Sequence, residues 1–414
     1  MKQTILLFSG LLCCSTLMTA KPMEAHKTIT VTVTNTWSKA KTNEPIVVKL
    51  KDVATGFQVR SALVTSNGIE IPSQLDDLNG DYQADELAFV ADIPAGGKKV
   101  FKITFTSSNR NNQYTPRVYA HLRLNDKSKK YPFIQSVTAY GSNSPKFTYN
   151  SIYGHGICFE SEKTAFRLYF DNRQSIDLYG KKHYRLELAQ TNFYTTIEQK
   201  KAGYGNDVLW AGQSVGLGSF RGVENDEPQY IDSVKLRSTS IIAAGPVRVI
   251  AEMKDHNWFY KGKQVDMTQH YILYAGHRDV ETVVHVSAPD IQKELFCTGV
   301  QKLERDNIGF LKPEGLAGSW GTNLPEKGDT LTNPRETVGL GIYISKSYIN
   351  HSKEDANNYL YILRPDTAGY IKYNFTFCCT KEEEGFKNRQ SWFDYLKEWE
   401  AALRHPCKIQ ILKK

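Results

Sequence analysis

The sequence lacks several motifs that would point to a well-known class of enzyme. Its 7 cysteines in 414 residues include no CxxC pair, so their spacing gives no indication of zinc. It contains no GxxxxGK[ST] loop and no GxSxG turn, which argues against P-loop nucleotide hydrolases and α/β-hydrolases. Long helical periods between strands are also missing, so a βαβ layout is not expected. No basic run is present, and nucleic acid is therefore not predicted as a partner.

The first 20 residues have the pattern of a signal peptide. Lys2 provides a positive start, residues 5–12 are largely apolar, and small residues precede a plausible cleavage point after Ala20. The apolar stretch is too short to span a bilayer, and no later stretch is predicted to be a transmembrane helix. Cys13 follows a leucine where a lipoprotein signal requires a small residue. We therefore expect an exported protein, periplasmic or secreted, with a lipid anchor as the less favoured alternative.

Composition favours a β-rich globular protein with an anionic partner. Aromatic residues make up 12% of the chain, which suits strands as well as surfaces that stack on sugars. The formal net charge of +8 favours an acidic glycan, although solubility alone also explains a modest basic excess. No organic cofactor is expected. After the predicted signal peptide the cysteines are odd in number, so at least one thiol is free, and we expect buried thiols at Cys158, Cys297, Cys378, Cys379 and Cys407.

Strict alternation of β-branched residues at 28–34 predicts the first strand. Further strands are predicted at 46–50, 86–93 and 100–105, because proline and glycine separate these apolar runs. Short strands at this spacing predict a small β-sandwich, which we assign to residues 21–108.

Strand-like segments continue in the remainder of the chain, which we assign to a large domain at 117–414. A large antiparallel β-sandwich explains them better than a layout of alternating strands and helices. One helix is predicted near the C-terminus, where Ser391 is expected to cap an amphipathic segment at 392–403. A last strand is predicted around Ile409. The other strands predicted here lie at 166–170, 247–253, 270–274, 280–286, 341–344, 359–363 and 371–377.

An acidic stretch begins at Asp77 and reads DLNGDYQADE. Its oxygen-bearing side chains take positions one, three, five and nine of a calcium-binding loop. A tyrosine stands at the usual glycine position, and an alanine replaces the bidentate glutamate. The alternative is an acidic turn that binds nothing, since such motif matches produce false positives. The expected ligands of a structural Ca²⁺ are Asp77, Asn79, Asp81, Asp85 and Glu86.

Ionisable residues are dense in the segment at 155–182. An arginine there would clamp a carboxylate, and a histidine or tyrosine would move the proton next to a uronate carboxyl group. Hydrolysis by paired carboxylates, Glu160 and Asp177, is an alternative, and surface ion pairs are the competing interpretation. The candidates are His155 and Tyr179 for catalysis, and Glu160, Arg173, Asp177 and Lys181 for substrate binding.

Further candidates come from a turn at 274–280 and from a glycine-rich stretch at 203–222. Side chains on the turn would face a cleft, and the loop-like stretch would present an edge to a sugar. A catalytic metal is not expected, because ligation would need two or three histidines on one face. These candidates are His277 for catalysis, and Arg278, Asp279, Asp207, Trp210 and Arg221 for substrate binding.

Several long motifs resemble domain-of-unknown-function family 4861. They are QLDDLNGD at 74–81, GHGICFE at 154–160, YFDNRQSIDLYGK at 169–181, VLWAG at 208–212 and YAGHRD at 274–279. The resemblance covers nearly the whole mature chain. It implies an exported protein of polysaccharide-degrading Bacteroidota that accompanies pectin- or ulvan-type degradation, and it carries no settled catalytic assignment. The run at 268–280 is also similar to the central hairpin of galactose-mutarotase-like supersandwiches, a fold that hosts mutarotases, lyases and glycosidase accessory domains.

The leading hypothesis is β-elimination on uronate-containing saccharides. Arg173 or Arg278 would neutralise the carboxylate, His155 or His277 would act as base, and Tyr179 would protonate the leaving oxygen. A mutarotase or glycosidase and a non-catalytic glycan-binding protein are the alternatives. The enzymatic hypotheses require that the segment at 155–182 and the turn at 274–280 converge on one hollow of the larger β-scaffold.

Overall fold

The computed structural model describes residues 24–110, 113–126, 128, 130–141, 150–325 and 333–412. Strands account for 51% of the protein and helices for 11%. The strands pair in an antiparallel manner, so the predicted β-rich class and its antiparallel sandwich are confirmed. Within these ranges no helix is both long and apolar enough to cross a membrane.

The small N-terminal sandwich consists of sheet A and sheet B. In sheet B the order is β2-β6-β5, and in sheet A it is β28-β1-β7-β3-β4. Val31 and Val33 of β1 are fully buried because alternate residues of the strand face the core. The strands are β1 (His26–Thr34), β2 (Lys41–Lys49), β3 (Ser61–Ser66), β4 (Ile69–Ile71), β5 (Ser73–Asp76), β6 (Glu86–Ile93), β7 (Lys98–Thr106) and β28 (Lys408–Leu412).

The last strand of the chain returns to the first domain. Residues of β28 pair with β1, and Ile411 lies opposite Val31. The C-terminus therefore completes the N-terminal sandwich, although the sequence assigned it to the large domain. Arg248 joins the domains as well, since its guanidinium contacts Asp76 at 2.6 Å and Glu86 at 2.8 Å.

The large domain is a sandwich of sheet C against sheets D and E. Sheet C has the order β10-β17-β18-β19-β20-β27-β24-β23-β22, sheet D the order β14-β13-β12-β11-β8-β9, and sheet E the order β16-β15-β21-β26-β25. The strands are β8 (Val118–Arg123), β9 (Phe133–Ile134), β10 (Ser136–Tyr140), β11 (Gly156–Ser161), β12 (Ala165–Tyr169), β13 (Ile176–Gly180), β14 (Asn206–Asp207), β15 (Arg221–Glu224), β16 (Glu227–Gln229), β17 (Leu236–Ala244), β18 (Arg248–Tyr260), β19 (Lys263–Tyr274), β20 (Val280–Ser287), β21 (Phe296–Gln301), β22 (Arg305–Leu311), β23 (Leu316–Asn323), β24 (Glu336–Ile344), β25 (Ile349–Glu354), β26 (Asn358–Leu363) and β27 (Tyr370–Cys379).

Aromatic side chains fill the core between these sheets. Phe166 of sheet D packs edge-on against Phe375 and Phe377 of sheet C, with ring centroids 5.5 and 5.3 Å apart. Phe296 of sheet E stacks on Tyr260 of sheet C at 5.3 Å. Sheets D and E therefore pack on the same face of sheet C. The face of sheet D that points away from sheet C is not part of this core.

Helices are short except at the C-terminus. Their bounds are α1 (Leu188–Thr191), α2 (Ile197–Lys201) and α3 (Arg389–Arg404). The predicted amphipathic helix is confirmed, since Trp392 and Leu396 of α3 are fully buried. The predicted cap at Ser391 is wrong. Asn388 caps the helix by accepting the Ser391 backbone N–H at 3.0 Å, which places Ser391 in the first turn.

Candidate functional site

Polar side chains occupy the face of sheet D that points away from the core. In β12, Phe166 faces the core and its neighbour Arg167 faces outward, because successive residues of a strand alternate. The strand register places Cys158 and Asp177 on either side of Arg167. A polar row therefore crosses the strands β11, β12 and β13 on the outer face of sheet D.

The segment at 181–205, which we call the cap, covers part of this face. Glu160 anchors it by accepting the backbone N–H groups of Glu187 and Leu188 at 2.9 and 2.7 Å. Lys181 donates to Glu160 at 2.5 Å with both side chains fully buried. A helix start that is held by a buried carboxylate fixes the position of the cap.

Tyr179 is closed off beneath the cap. Its hydroxyl group donates to Glu187 at 3.0 Å and also contacts Thr195. Burial and the charge of Glu187 raise the pKa of Tyr179. Glu160, Lys181 and Tyr179 hold the cap in the structure, and none of them lies on the cavity described next.

A cavity of about 340 Å³, which we call the polar cavity, opens beside the cap. It collects five of the predicted residues, and it adds arginine, tyrosine and small side chains that the sequence analysis did not select. Its walls are formed by His155, Arg167, Tyr169, Arg173, Ser175, Asp177, Tyr194, Asp207, Leu209, Trp210, Ala211, Gly212 and Pro325.

Arg167 is the central cation of the polar cavity. It is buried, and its guanidinium forms a close ion pair with Asp177, contacts Asp207 at 3.3 Å and donates to the Tyr169 hydroxyl at 3.2 Å. Burial acts to lower the pKa of Arg167, but the carboxylates beside it raise that pKa well above its ordinary value. Phe193 of the cap lies under the guanidinium at 4.4 Å. Arg167 therefore stays charged and ties the strands to the cap.

Asp177 and Asp207 form an unequal pair of carboxyl groups. Both accept from the same guanidinium nitrogen of Arg167. Asp177 is buried, whereas the Asp207 side chain is 25% exposed and faces the cavity. Burial, together with the charge of Asp177, raises the pKa of Asp207 well above its ordinary value. Asp207 is therefore the better candidate for a proton donor within the pair.

An imidazole, a phenol and a guanidinium are stacked on another wall. The rings of His155 and Tyr169 are nearly parallel with centroids 5.7 Å apart, and the Arg173 guanidinium lies 5.0 Å from the Tyr169 ring. Asp171 holds Arg173 by accepting from its Nε at 2.8 Å. Burial and Asp177 raise the pKa of Tyr169, so its phenol stays protonated. Trp210, 44% exposed, also lines the cavity.

The backbone at His155 is in the left-handed region with φ of 65°. This conformation costs about 1–2 kcal/mol for a residue other than glycine. Such strain is often found at functional sites. The left-handed conformation of His155 is stabilised by hydrogen bonds from His155 N to Ile152 O at 3.0 Å and from Phe170 N to His155 O at 2.8 Å.

Gly156 sets how closely β11 approaches β12 beside His155. A Cβ atom at this position would lie 1.6 Å from the carbonyl oxygen of Leu168, which is backbone and cannot turn away. We expect Gly156→Ala to force the strands apart and to lower the free energy of unfolding by about 1–3 kcal/mol. Urea unfolding followed by tryptophan fluorescence measures this loss. If the variant has its unfolding midpoint at the same urea concentration as the wild type, the strands tolerate the added methyl group.

The turn at 274–280 does not reach the polar cavity. His277 contacts Asp279 through Nδ1 at 3.0 Å and the carbonyl of Asn43 through Nε2 at 2.8 Å. Arg278 is held by Glu382 at 2.7 Å. His277, Arg278 and Asp279 instead line a larger cavity of about 450 Å³.

The expected convergence on one hollow is therefore wrong, and an elimination that draws on both segments is excluded, so a proposal of this chemistry has to rest on the polar cavity alone. The turn faces the N-terminal sandwich, whereas the polar row lies on the outer face of sheet D. The roles proposed for His277, Arg278 and Asp279 stay predictions.

Arg221 is buried away from the polar cavity. It donates to the Phe220 carbonyl at 3.0 Å and to the Ser175 hydroxyl at 3.1 Å, and its guanidinium lies 5.5 Å from the Tyr230 ring. Its position beneath Ser175 supports the wall of the cavity. Its predicted role in substrate binding stays a prediction.

The acidic loop at 77–86 is folded by its own side chains. Asp77 accepts the backbone N–H groups of Gly80 and Tyr82 at 2.7 Å, and such bonds lower the pKa of Asp77 although its slight desolvation acts in the opposite direction. Asn79 and Asp81 accept backbone N–H groups of the loop as well. Glu86, the proposed substitute ligand, pairs with Arg248.

No cluster of three or more His, Cys, Asp or Glu side chains within the described ranges could hold a metal ion. The loop therefore has no preformed ligand cluster of that kind. The calcium assignment of Asp77, Asn79, Asp81, Asp85 and Glu86 stays a prediction.

Arg167 and Tyr169 are two of the cavity residues that the selection from the sequence missed. The signal that identifies them is the hairpin of β12 and β13, whose register puts Arg167 opposite Asp177. Alternation then places Tyr169 on the same face as Arg167.

The fold and the polar cavity define an antiparallel β-sandwich protein with ionisable groups gathered on the outer face of one sheet. The profile of the family described as "Domain of unknown function (DUF4861)" matches residues 33–409. The chain belongs to this family, which confirms the resemblance seen in the sequence. No curated protein matches the chain significantly.

Solved structures give distant similarities. A protein in the glycosyl hydrolase family 38 from Enterococcus faecalis is 10% identical with a TM-score of 0.46, and the alignment covers 93% of this chain and 47% of that one. An alpha-mannosidase from Enterococcus faecalis V583 is 10% identical with a TM-score of 0.41, covering 93% of this chain and 46% of that one. The chain thus spans about half the length of each.

Proposed function

We propose that the chain is a carbohydrate-active protein that binds a uronate-containing saccharide in the polar cavity and cleaves it by β-elimination. One observation supports this proposal above the others. The stacked His155 and Tyr169 lie beside Arg173 in a cavity that also holds a buried arginine. Elimination next to a carboxylate needs a cation, a base and a proton donor, and this cavity supplies all of them.

The proposed reaction assigns one step to each group. Arg173 binds the uronate carboxylate and makes the neighbouring C–H more acidic. His155 removes that proton, the bond between carbon and the leaving glycosidic oxygen breaks, and a carbon–carbon double bond forms. Tyr169, whose phenol stays protonated, delivers a proton to the leaving oxygen. Trp210 offers a face for a neighbouring sugar ring.

The test is to incubate the chain with pectin, ulvan and glycosaminoglycan oligosaccharides and to follow the absorbance of unsaturated uronate. Elimination predicts that the absorbance grows in step with new reducing ends. Reducing ends without absorbance would contradict elimination and support hydrolysis. Binding without either product would contradict catalysis and support a glycan-binding protein.

Hydrolysis is the second candidate, and the carboxyl pair specifically favours it. Burial and the charge of Asp177 raise the pKa of Asp207, and a carboxyl group with a raised pKa beside a second carboxyl group matches the acid and nucleophile of glycosidases that retain configuration. Because Asp177 and Asp207 contact one nitrogen of Arg167, their carboxyl oxygens lie closer than the roughly 6.5–9.5 Å of an inverting mechanism, which favours a retaining one. The pair is Asp177 and Asp207, since Glu160 is sealed under the cap with Lys181.

A further inference from the structure

We propose that the larger cavity, which we call the junction cavity, is a separate binding site for an uncharged sugar unit. It lies where three parts of the chain meet. These are the loop and strand at 37–45 of the N-terminal sandwich, the turn at 274–281 of the large domain, and the helix α3 with the residues after it. The proposal goes beyond the function proposed for the polar cavity and does not depend on it.

Aromatic side chains provide apolar walls for the junction cavity. Trp37 comes from the N-terminal sandwich, Tyr274 from the end of β19, and Trp399 from α3. Trp37 is only half-buried, and its ring stacks on His405 with centroids 6.2 Å apart. Flat apolar surfaces next to polar groups are what the C–H faces and hydroxyl groups of a sugar ring require.

Most charged groups on the walls are already paired. His277 is bound to Asp279, and burial acts to lower the pKa of His277 while the charge of Asp279 raises it above its ordinary value. Lys41 contacts Glu44 at 3.2 Å. These pairs give the walls their shape and leave little charge for a ligand.

Glu281 and Lys163 are different from these pairs. Neither side chain makes an ion pair or a hydrogen bond to another residue in the part of the chain that the structure describes, although the Lys163 ammonium lies 6.0 Å from the centre of the Tyr184 ring. Burial raises the pKa of Glu281 and lowers the pKa of Lys163, so both groups are poorly solvated. A ligand that donates a hydrogen bond to Glu281 and accepts one from Lys163 would offset the poor solvation of both groups.

The chemical class of the ligand follows from the acceptor at Glu281 and the donor at Lys163. A hydroxyl group both donates and accepts, so a polyhydroxylated ring satisfies an acceptor and a donor without adding charge. A uronate carboxylate would be attracted by Lys163 but repelled by Glu281, and the wall cations Lys41 and Arg278 are already paired with Glu44 and Glu382. The junction cavity therefore selects against the acidic ligand that the polar cavity is proposed to take.

The experiment titrates the full chain calorimetrically with neutral xylo-, manno- and galacto-oligosaccharides and with oligogalacturonate. We expect at least one neutral series to bind, and Glu281→Gln to weaken that binding about 10-fold or more. Glu227→Gln, which removes an exposed carboxylate that pairs with Lys353, is the matched control and should leave the affinity unchanged. Trp37→Ala gives a second variant at the half-buried wall and should also weaken binding.

The outcomes separate this proposal from the proposed elimination. If no neutral saccharide binds, or if Glu281→Gln and Trp37→Ala bind as the wild type does, the junction cavity is not a sugar site. Elimination on uronates would be unaffected by that result. Neutral saccharides that bind through Glu281 while no unsaturated product forms would support the junction site and contradict the elimination.

Discussion

His155→Ala should reduce the rate of uronate elimination about 10²–10⁴-fold, which is the usual contribution of a general base. The histidine stacks on Tyr169 at the wall of the polar cavity. Its removal leaves the charge of Arg167 and Arg173 in place, so substrate should still bind. The measurement is kcat and KM from unsaturated-uronate absorbance, with the loss expected in kcat and only a small change in KM.

His256→Ala is the matched control for this variant. His256 is a half-exposed histidine that contacts Asp266 at 2.8 Å on another part of the surface, and its loss should leave the rate unchanged. A rate for His155→Ala within a few-fold of the wild type would exclude His155 as the base. The carboxyl pair at Asp177 and Asp207 would then become the stronger candidate for catalysis.

Local patterns predicted the fold where strand alternation was clear. The segment at 86–93 is a strand with those bounds, and 28–34 lies within β1. The strand predicted from residue 46 begins at Lys41, because a register shift between Lys41 and Glu44 adds polar residues that no alternation reveals. The pairing of β28 with β1 joins opposite ends of the chain, and no local pattern encodes it.

The candidate site was predictable within two stretches of the chain, since Asp207 and Trp210 of the glycine-rich stretch also line the polar cavity. Asp177 and Arg173 belong to the same short segment as His155, and the structure gathers all three at the polar cavity. Tyr179 lies two residues from Asp177 on the same face, yet the cap covers it because the cap residue Glu187 binds its hydroxyl group. The separation of His277 from this cavity depends on how the domains dock, which one sequence does not show.

Arg167→Met should be the most destabilising change at the polar cavity, since it leaves the Asp177 carboxylate buried without its partner. Removing one member of a buried ion pair typically costs about 3–5 kcal/mol. Asp207 contacts the same guanidinium but is the more exposed of the two carboxyl groups, so the loss of Arg167 affects Asp177 most.

Arg173→Met provides the comparison, because Arg173 is a cation of the same cavity whose side chain is 38% exposed while its partner Asp171 is buried. Urea unfolding at neutral pH should show a larger loss of unfolding free energy for Arg167→Met than for Arg173→Met. Both variants should weaken uronate elimination, and Arg173→Met should do so with the smaller loss of stability, because Asp171 still accepts the backbone N–H groups of residue 173 and Gln174. Equal unfolding free energies of the two variants at neutral pH would mean that Asp177 finds another partner. In that case Arg167 does not hold the polar row on sheet D together.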